Sequence, residues 1–125
     1  MLQLTDIVER KVIYIAGPLS TNGEWLTNIH IAADVAATLI DAGFAPICPH
    51  LLALGQIVRP VANDHDYTTW MNVDCSIINV CHGVLRLPGE SFGADFEVRY
   101  AQDNDIPVFF ELEELEDYFN DFMER

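Results

Sequence analysis

Positive charge is what this sequence has least of. Six Lys and Arg stand against twenty Asp and Glu in 125 residues, a formal net charge of -14. Such a chain repels a nucleic-acid backbone unless its basic residues gather in one patch. None gather: from Val12 to Val58 there is no Lys or Arg at all. Polymeric DNA or RNA is therefore not an expected partner. No apolar run approaches the roughly 18 residues a membrane span needs, and the opening MLQLTDIVER lacks the apolar centre of a signal peptide. A cytoplasmic protein without membrane association is expected. Cysteine is scarce too. Cys48, Cys75 and Cys81 are odd in number and form no C-x-x-C, so neither a disulfide frame nor a metal site is expected. There is no internal repeat and no low-complexity tract, and 125 residues leave room for one domain, taken as 1–125.

Half of the residues are apolar, and they fall into two kinds of segment. Short runs with β-type composition, at 11–16, 45–48, 83–87 and 106–110, predict buried strands. Between them the apolar period becomes helical. A helix is predicted over 24–42, with Ile29, Ala32, Ala33, Ala36, Leu39 and Ile40 inward and Gly43 as its left-handed stop. Others are predicted over 67–80, with Trp70, Val73, Ile77 and Val80 inward, and over 91–103, with Ser91 as N-cap and Phe92, Phe96 and Tyr100 in line. A last helix over 113–123 turns Leu115, Tyr118, Phe119, Phe122 and Met123 inward. Its acids belong to a run of seven between Glu111 and Glu124, which fits a solvated helix face. Alternation of strand and helix predicts an α/β fold: a three-layer parallel sheet of about four to five strands flanked by helices, flavodoxin-like or Rossmann-like. Residues 49–66 form the one long connection, too long for a plain linker and a candidate lid.

Ligands of open α/β sheets bind beyond the carboxyl ends of the strands. Those ends are Gly17-Pro18-Leu19-Ser20 after the first strand, Pro49-His50 after the second, and Pro88 to Gly93 after the third. Structurally, Ser91 is a cap and Gly89 and Gly93 shape a turn. As a site, the same turn offers backbone N–H groups and a helix dipole to an oxyanion. Glu97 follows Ser91 by six residues, almost on the same helix face. It is either a half-exposed surface acid or a carboxylate held beside apolar neighbours as nucleophile or base. Asp74, among Val73, Ile77 and Ile78, is a second such acid, while Asp95 points to solvent. Tyr14 sits inside the first strand, where an aromatic is core unless its hydroxyl reaches the crevice. His50 is placed to contact a ligand or to cap the long connection; His82 is structural. Trp25 and Trp70 fit core or subunit contacts better than base stacking. Arg86, in a strand that should be buried, must pair with an acid or reach the sheet edge.

Three blocks in order, VIYIAGPLS at 12–20, Asp74 after Trp70, and LPGESFGADFE at 87–97, resemble the nucleoside 2-deoxyribosyltransferase family and its relatives, the 2'-deoxynucleoside 5'-monophosphate N-glycosidases. The closest likeness is to a small phage and bacterial branch of unknown function. The resemblance spans about residues 12–110. It implies that Glu97 attacks the anomeric carbon and forms a covalent glycosyl-enzyme intermediate, that Asp74 handles proton transfer at the base, and that Tyr14 positions the nucleophile. Substrate contacts are expected at Gly17, Ser20, His50, Gly89, Ser91 and Gly93, which stand at the strand ends. Ser91 stands where the transferases tend to have an aspartate for the free sugar hydroxyl and the monophosphate enzymes a serine near the phosphate, which favours a nucleotide. Ser20 stands where the monophosphate enzymes carry a basic residue, so backbone N–H groups would hold the phosphate.

The expectation is thus cleavage or transfer of the N-glycosidic bond of 2'-deoxynucleoside 5'-monophosphates or 2'-deoxynucleosides, without metal or organic cofactor. The partner is a small-molecule nucleotide or nucleoside, and the family implies a homo-oligomer. The alternatives are a non-catalytic nucleotide-binding or sensor module, or a phosphoribohydrolase-type nucleotide N-glycosidase.

Overall fold

The protein is represented by a computed structural model that describes residues 1–62 and 64–123, with side chains described as far as Asn120. Four strands form one parallel sheet: β1 (Val12–Ala16), β2 (Ala45–Ile47), β3 (Gly83–Arg86) and β4 (Val108–Phe109), in the order β2-β1-β3-β4. Helix α1 (Trp25–Asp41) joins β1 to β2, α4 (Tyr67–Ile78) precedes β3, α5 (Phe92–Asp103) joins β3 to β4, and α6 (Leu112–Met123) ends the described chain. Period-2 alternation in the strands divides the core. Ile13, Ile15, Leu85 and Phe109 face Ala32 and Leu39 of α1 and Leu115 and Phe119 of α6. Tyr14, Ala16 and Val84 face Ile78 of α4 and Ala94 and Ala101 of α5. Burial of each large aliphatic side chain contributes about 1.5–3 kcal/mol. These are the three layers of a doubly wound α/β fold, in flavodoxin-like strand order.

Local chemistry sets the element ends. Helix α1 stops at Gly43, whose φ of 97° puts it in the left-handed region. Gly43 N–H donates to Ile40 and Phe44 N–H to Leu39, the paired bonds of a Schellman stop. Asp66 caps α4 by accepting from Thr69 N–H at 2.8 Å, and Ser91 caps α5 by accepting from Ala94 N–H at 3.0 Å. Gly17 serves close packing: a Cβ there would lie 2.9 Å from Leu87 Cβ. Gly17→Ala is expected to lower stability by about 1–3 kcal/mol, the usual cost of overpacking, measurable as a lower urea midpoint with an unchanged slope.

Several helix faces differ from the sequence expectation. On α1, Ala33 and Ile40 are exposed while Ile29, Ala32 and Leu39 are buried. On α4 the buried residues are Cys75 and Ile78, with Val73 exposed and Trp70 half-buried; the helix ends before Val80, which is exposed. On α5 the buried line is Ala94, Glu97 and Ala101, and Phe92 is 92% exposed with Phe96 also out. Size explains α5: two alanines seven residues apart let the helix approach the sheet closely, whereas a phenylalanine face would hold it away. Tyr118 of α6 is exposed on one side and packs its ring on Phe109, centroids 5.2 Å apart; the expectations for Phe122 and Met123 lie outside the described side chains. The long connection is not a loop throughout. It holds two short helices, α2 (Pro49–Leu52) and α3 (Leu54–Val58). The three cysteines are free and buried.

Candidate functional site

Strands β1 and β3 are neighbours whose following connections leave for opposite faces of the sheet, through α1 and α5. Such a switch point opens a crevice at the carboxyl ends. A cavity of about 490 Å³ lies there, within the usual size for small-molecule sites. Asp74 and Glu97 are among its lining residues, and Tyr14, which does not line it, lies behind Glu97. Tyr14 of β1, fully buried, donates its hydroxyl hydrogen to Glu97 Oε2 of α5. Glu97 is 5% exposed. Asp74 of α4 interacts electrostatically with both.

Parallel α4 and α5 on one sheet face bring these acids together: Asp74 leads the buried Cys75 and Ile78, and Glu97 sits between Ala94 and Ala101. The electrostatics follow from crowding two carboxyls in a poorly hydrated place. Burial, and then the like charge of Asp74, pushes the Glu97 carboxyl up to about 8, against the opposing hydrogen bond from Tyr14 and the charge of Arg86. Burial also raises Asp74, opposed by its polar interactions with Glu97 and Tyr14. Burial and the two acids hold the Tyr14 hydroxyl far above the ordinary phenol value, so it is a fixed donor. The neighbouring Cys75 thiol is pushed up to about 11 by burial, then by Glu97 and Asp74. Burial and proximity favour a state in which the two carboxyls share one proton that either can hold, and Tyr14 donates to Glu97.

Of the remaining sequence candidates, Gly17, Ser20, His50, Ser91 and Gly93 line the cavity. Gly89 does not. Its φ is 110°, and a Cβ there would lie 2.9 Å from Pro18 Cγ, so it packs the third-strand turn against the first. His50 is 2% exposed and its Nε2 lies 2.8 Å from the Pro18 carbonyl oxygen. Burial lowers its pKa, so the ring is neutral and donates from Nε2, steadying the Gly17–Ser20 turn. His82 is structural, accepting from Val12 N–H at Nδ1 over 2.9 Å.

The core half of the expectation for Trp25 and Trp70, core or subunit contacts, does not hold: both are half-buried and line the cavity with Tyr67 and Phe92. His65 stands edge-on to Trp70, centroids 5.6 Å apart. Gln56 of α3, half-buried, also lines it. Trp25, Tyr67 and Phe92 are each the first residue of a helix, a placement that apolar periodicity does not detect. Among the described lining residues there is no Lys or Arg. Arg86 pairs with Asp95 at 2.9 Å. Among the described residues no group of three His, Cys, Asp or Glu is arranged to hold a metal ion, and no helix is long and apolar enough to cross a membrane.

Comparison with known proteins agrees with this architecture. The solved structure of a 2-desoxiribosyltransferase from Leishmania mexicana superposes with a TM-score of 0.55 at 20% identity, covering 78% of this chain and 61% of that one. The described chain therefore spans less than two thirds of that enzyme's length, and the likeness is one of fold. No curated protein matches the sequence. The family model of a domain of unknown function, DUF7768, matches residues 11–111; the chain belongs to that family.

Proposed function

We propose that this protein cleaves or transfers the N-glycosidic bond of 2'-deoxynucleosides or their 5'-monophosphates through a covalent glycosyl-Glu97 intermediate. The observation that carries this reading is the Tyr14–Glu97–Asp74 cluster, whose two carboxyls line a cavity at the β1/β3 switch point. Rupture of an N-glycosidic bond leaves an oxocarbenium-like sugar and an electron-rich base, which calls for a carboxylate at the anomeric carbon and an acid at the base. Glu97 Oε forms the bond to C1' as the C1'–N bond breaks, and the Asp74 carboxyl passes its proton to the departing base. In the second half, water or a second base attacks C1', Asp74 takes the displaced proton and Glu97 is released. Tyr14 keeps the attacking oxygen in place through its hydroxyl. The aromatic rim of Trp25, Trp70 and Tyr67 suits a planar base, and the likeness in fold to a deoxyribosyltransferase supports the sugar.

Incubation with each deoxynucleoside and each deoxynucleoside monophosphate, followed by chromatography for free base, tests the proposal. Release that persists in Glu97→Ala removes Glu97 as nucleophile. No release from any substrate, with or without an acceptor base, removes the catalytic reading and leaves a binding module. We also expect a homo-oligomer, because Phe92 and Phe96 leave an apolar strip exposed beside the cavity; light scattering at a monomer mass overturns that part alone.

A further inference from the structure

Arg86 is the last residue of β3, only 8% exposed. Register places it opposite Ala16 of β1, on the sheet face that carries Tyr14. A buried guanidinium must find acceptors, and this one finds three. It donates to the Leu87 carbonyl through Nη1, and through Nη2 to the Gly89 carbonyl at 2.9 Å and to Asp95 Oδ1 at 2.9 Å. The first two acceptors belong to the turn after β3. Its Gly89 takes a φ of 110° and packs against Pro18, whose own carbonyl is held by His50. The third lies in the first turn of α5, two residues before Glu97. Asp95 is itself 70% exposed, so burial of its own side chain does not explain the contact.

We infer that Arg86 is the positioning residue of the carboxylate site: by bridging the turn after β3 to the first turn of α5, it sets where Glu97 meets Tyr14. The inference rests on the reading of Glu97 and Asp74 as the reacting pair. The fork matters as much as the charge, since three acceptors in different directions match a planar guanidinium and not a single ammonium. The groups facing Glu97 are Tyr14 from β1, Asp74 and Cys75 from α4, and Arg86 from β3. Arg86 is the cation among them, and its charge works against the burial that raises Glu97.

The test compares Arg86→Met, Arg86→Lys and Asp95→Asn with the parent protein. Carbon-13 NMR of labelled glutamate, with the Glu97 signal assigned by its loss in Glu97→Gln, follows the titration of that carboxyl whether or not a substrate is known. In Arg86→Met the midpoint is expected to move upward by about half a unit to one unit, as the loss of a nearby opposite charge requires. Base release is expected to fall about tenfold in kcat with KM within about twofold, the signature of a misplaced reacting group. Arg86→Lys recovers the midpoint but not kcat. Asp95→Asn alters an exposed side chain and so serves if the Arg86 variants fail to fold; it lowers kcat with little change in midpoint. A midpoint and kcat in Arg86→Met equal to the parent's, or a fall in melting temperature alone, overturns the inference. Parent protein that releases no base from any substrate overturns the catalytic reading instead, and the titration still decides what Arg86 does to Glu97.

Discussion

Glu97→Gln abolishes base release, by a factor on the order of 10³ or more, because the amide cannot form the glycosyl bond while it still fills the site and accepts from Tyr14. The same substitution makes the protein more stable at alkaline pH. Folding raises the Glu97 carboxyl from 4.5 to about 8, so the folded state holds this proton more tightly than the unfolded state. The stability that this contributes is complete below the unfolded value and is lost as pH rises through the folded one. Above pH 8 the parent carries an ionised, buried carboxyl beside Asp74, and glutamine removes it. A gain of about 1–2 kcal/mol is expected there, typical of exchanges between activity and stability, and it vanishes near pH 4. Thermal melts of both proteins at pH 4 and pH 9 check the sign. A loss of stability at pH 9 contradicts the burial of a charge at this position.

Asp74→Asn is expected to lower kcat by roughly 10²–10⁴-fold, the usual worth of a general acid. The loss is smallest for substrates whose base departs easily without a proton. Its pH profile is the stronger diagnostic. In the parent protein the pair must hold one proton, and activity falls as the second is lost near pH 8. Removing the Asp74 charge takes away a group that raises Glu97, so the Glu97 midpoint drops and the alkaline limb near pH 8 disappears. An unchanged alkaline limb in Asp74→Asn assigns that limb to another group and removes Asp74 from the proton transfer.

The layered α/β class, four strands and four of the helices were legible because their signals are local. Val12–Ala16 is an apolar run, and Gly83–Arg86 is one up to its final arginine, the pattern of strands buried on both faces. Gly43 and Ser91 mark helix ends through φ preference and a capping oxygen, both properties of a single residue. Helix faces were less legible. Every residue of α4 except Asp74 is uncharged, so its sequence offers several apolar stripes of similar quality, and only contact with the sheet selects one. The short helices α2 and α3 in the long connection were missed because four or five residues carry too little periodicity to register.

The site divides in the same way. Residue order alone picked out Tyr14, Asp74 and Glu97 as candidate chemistry and marked the strand ends where a crevice should open. It could not bring together groups separated by up to 83 positions, nor tell that Arg86 would choose Asp95 as its partner, nor turn Trp25 and Trp70 from the core to the cavity wall. Those outcomes depend on which strands lie side by side and how closely two helices settle on their face. They are properties of packing, in which each side chain's surroundings come from distant parts of the chain. The raised Glu97 carboxyl is the plainest case, since burial and a like-charged neighbour exist for it only once α4 and α5 are both in place.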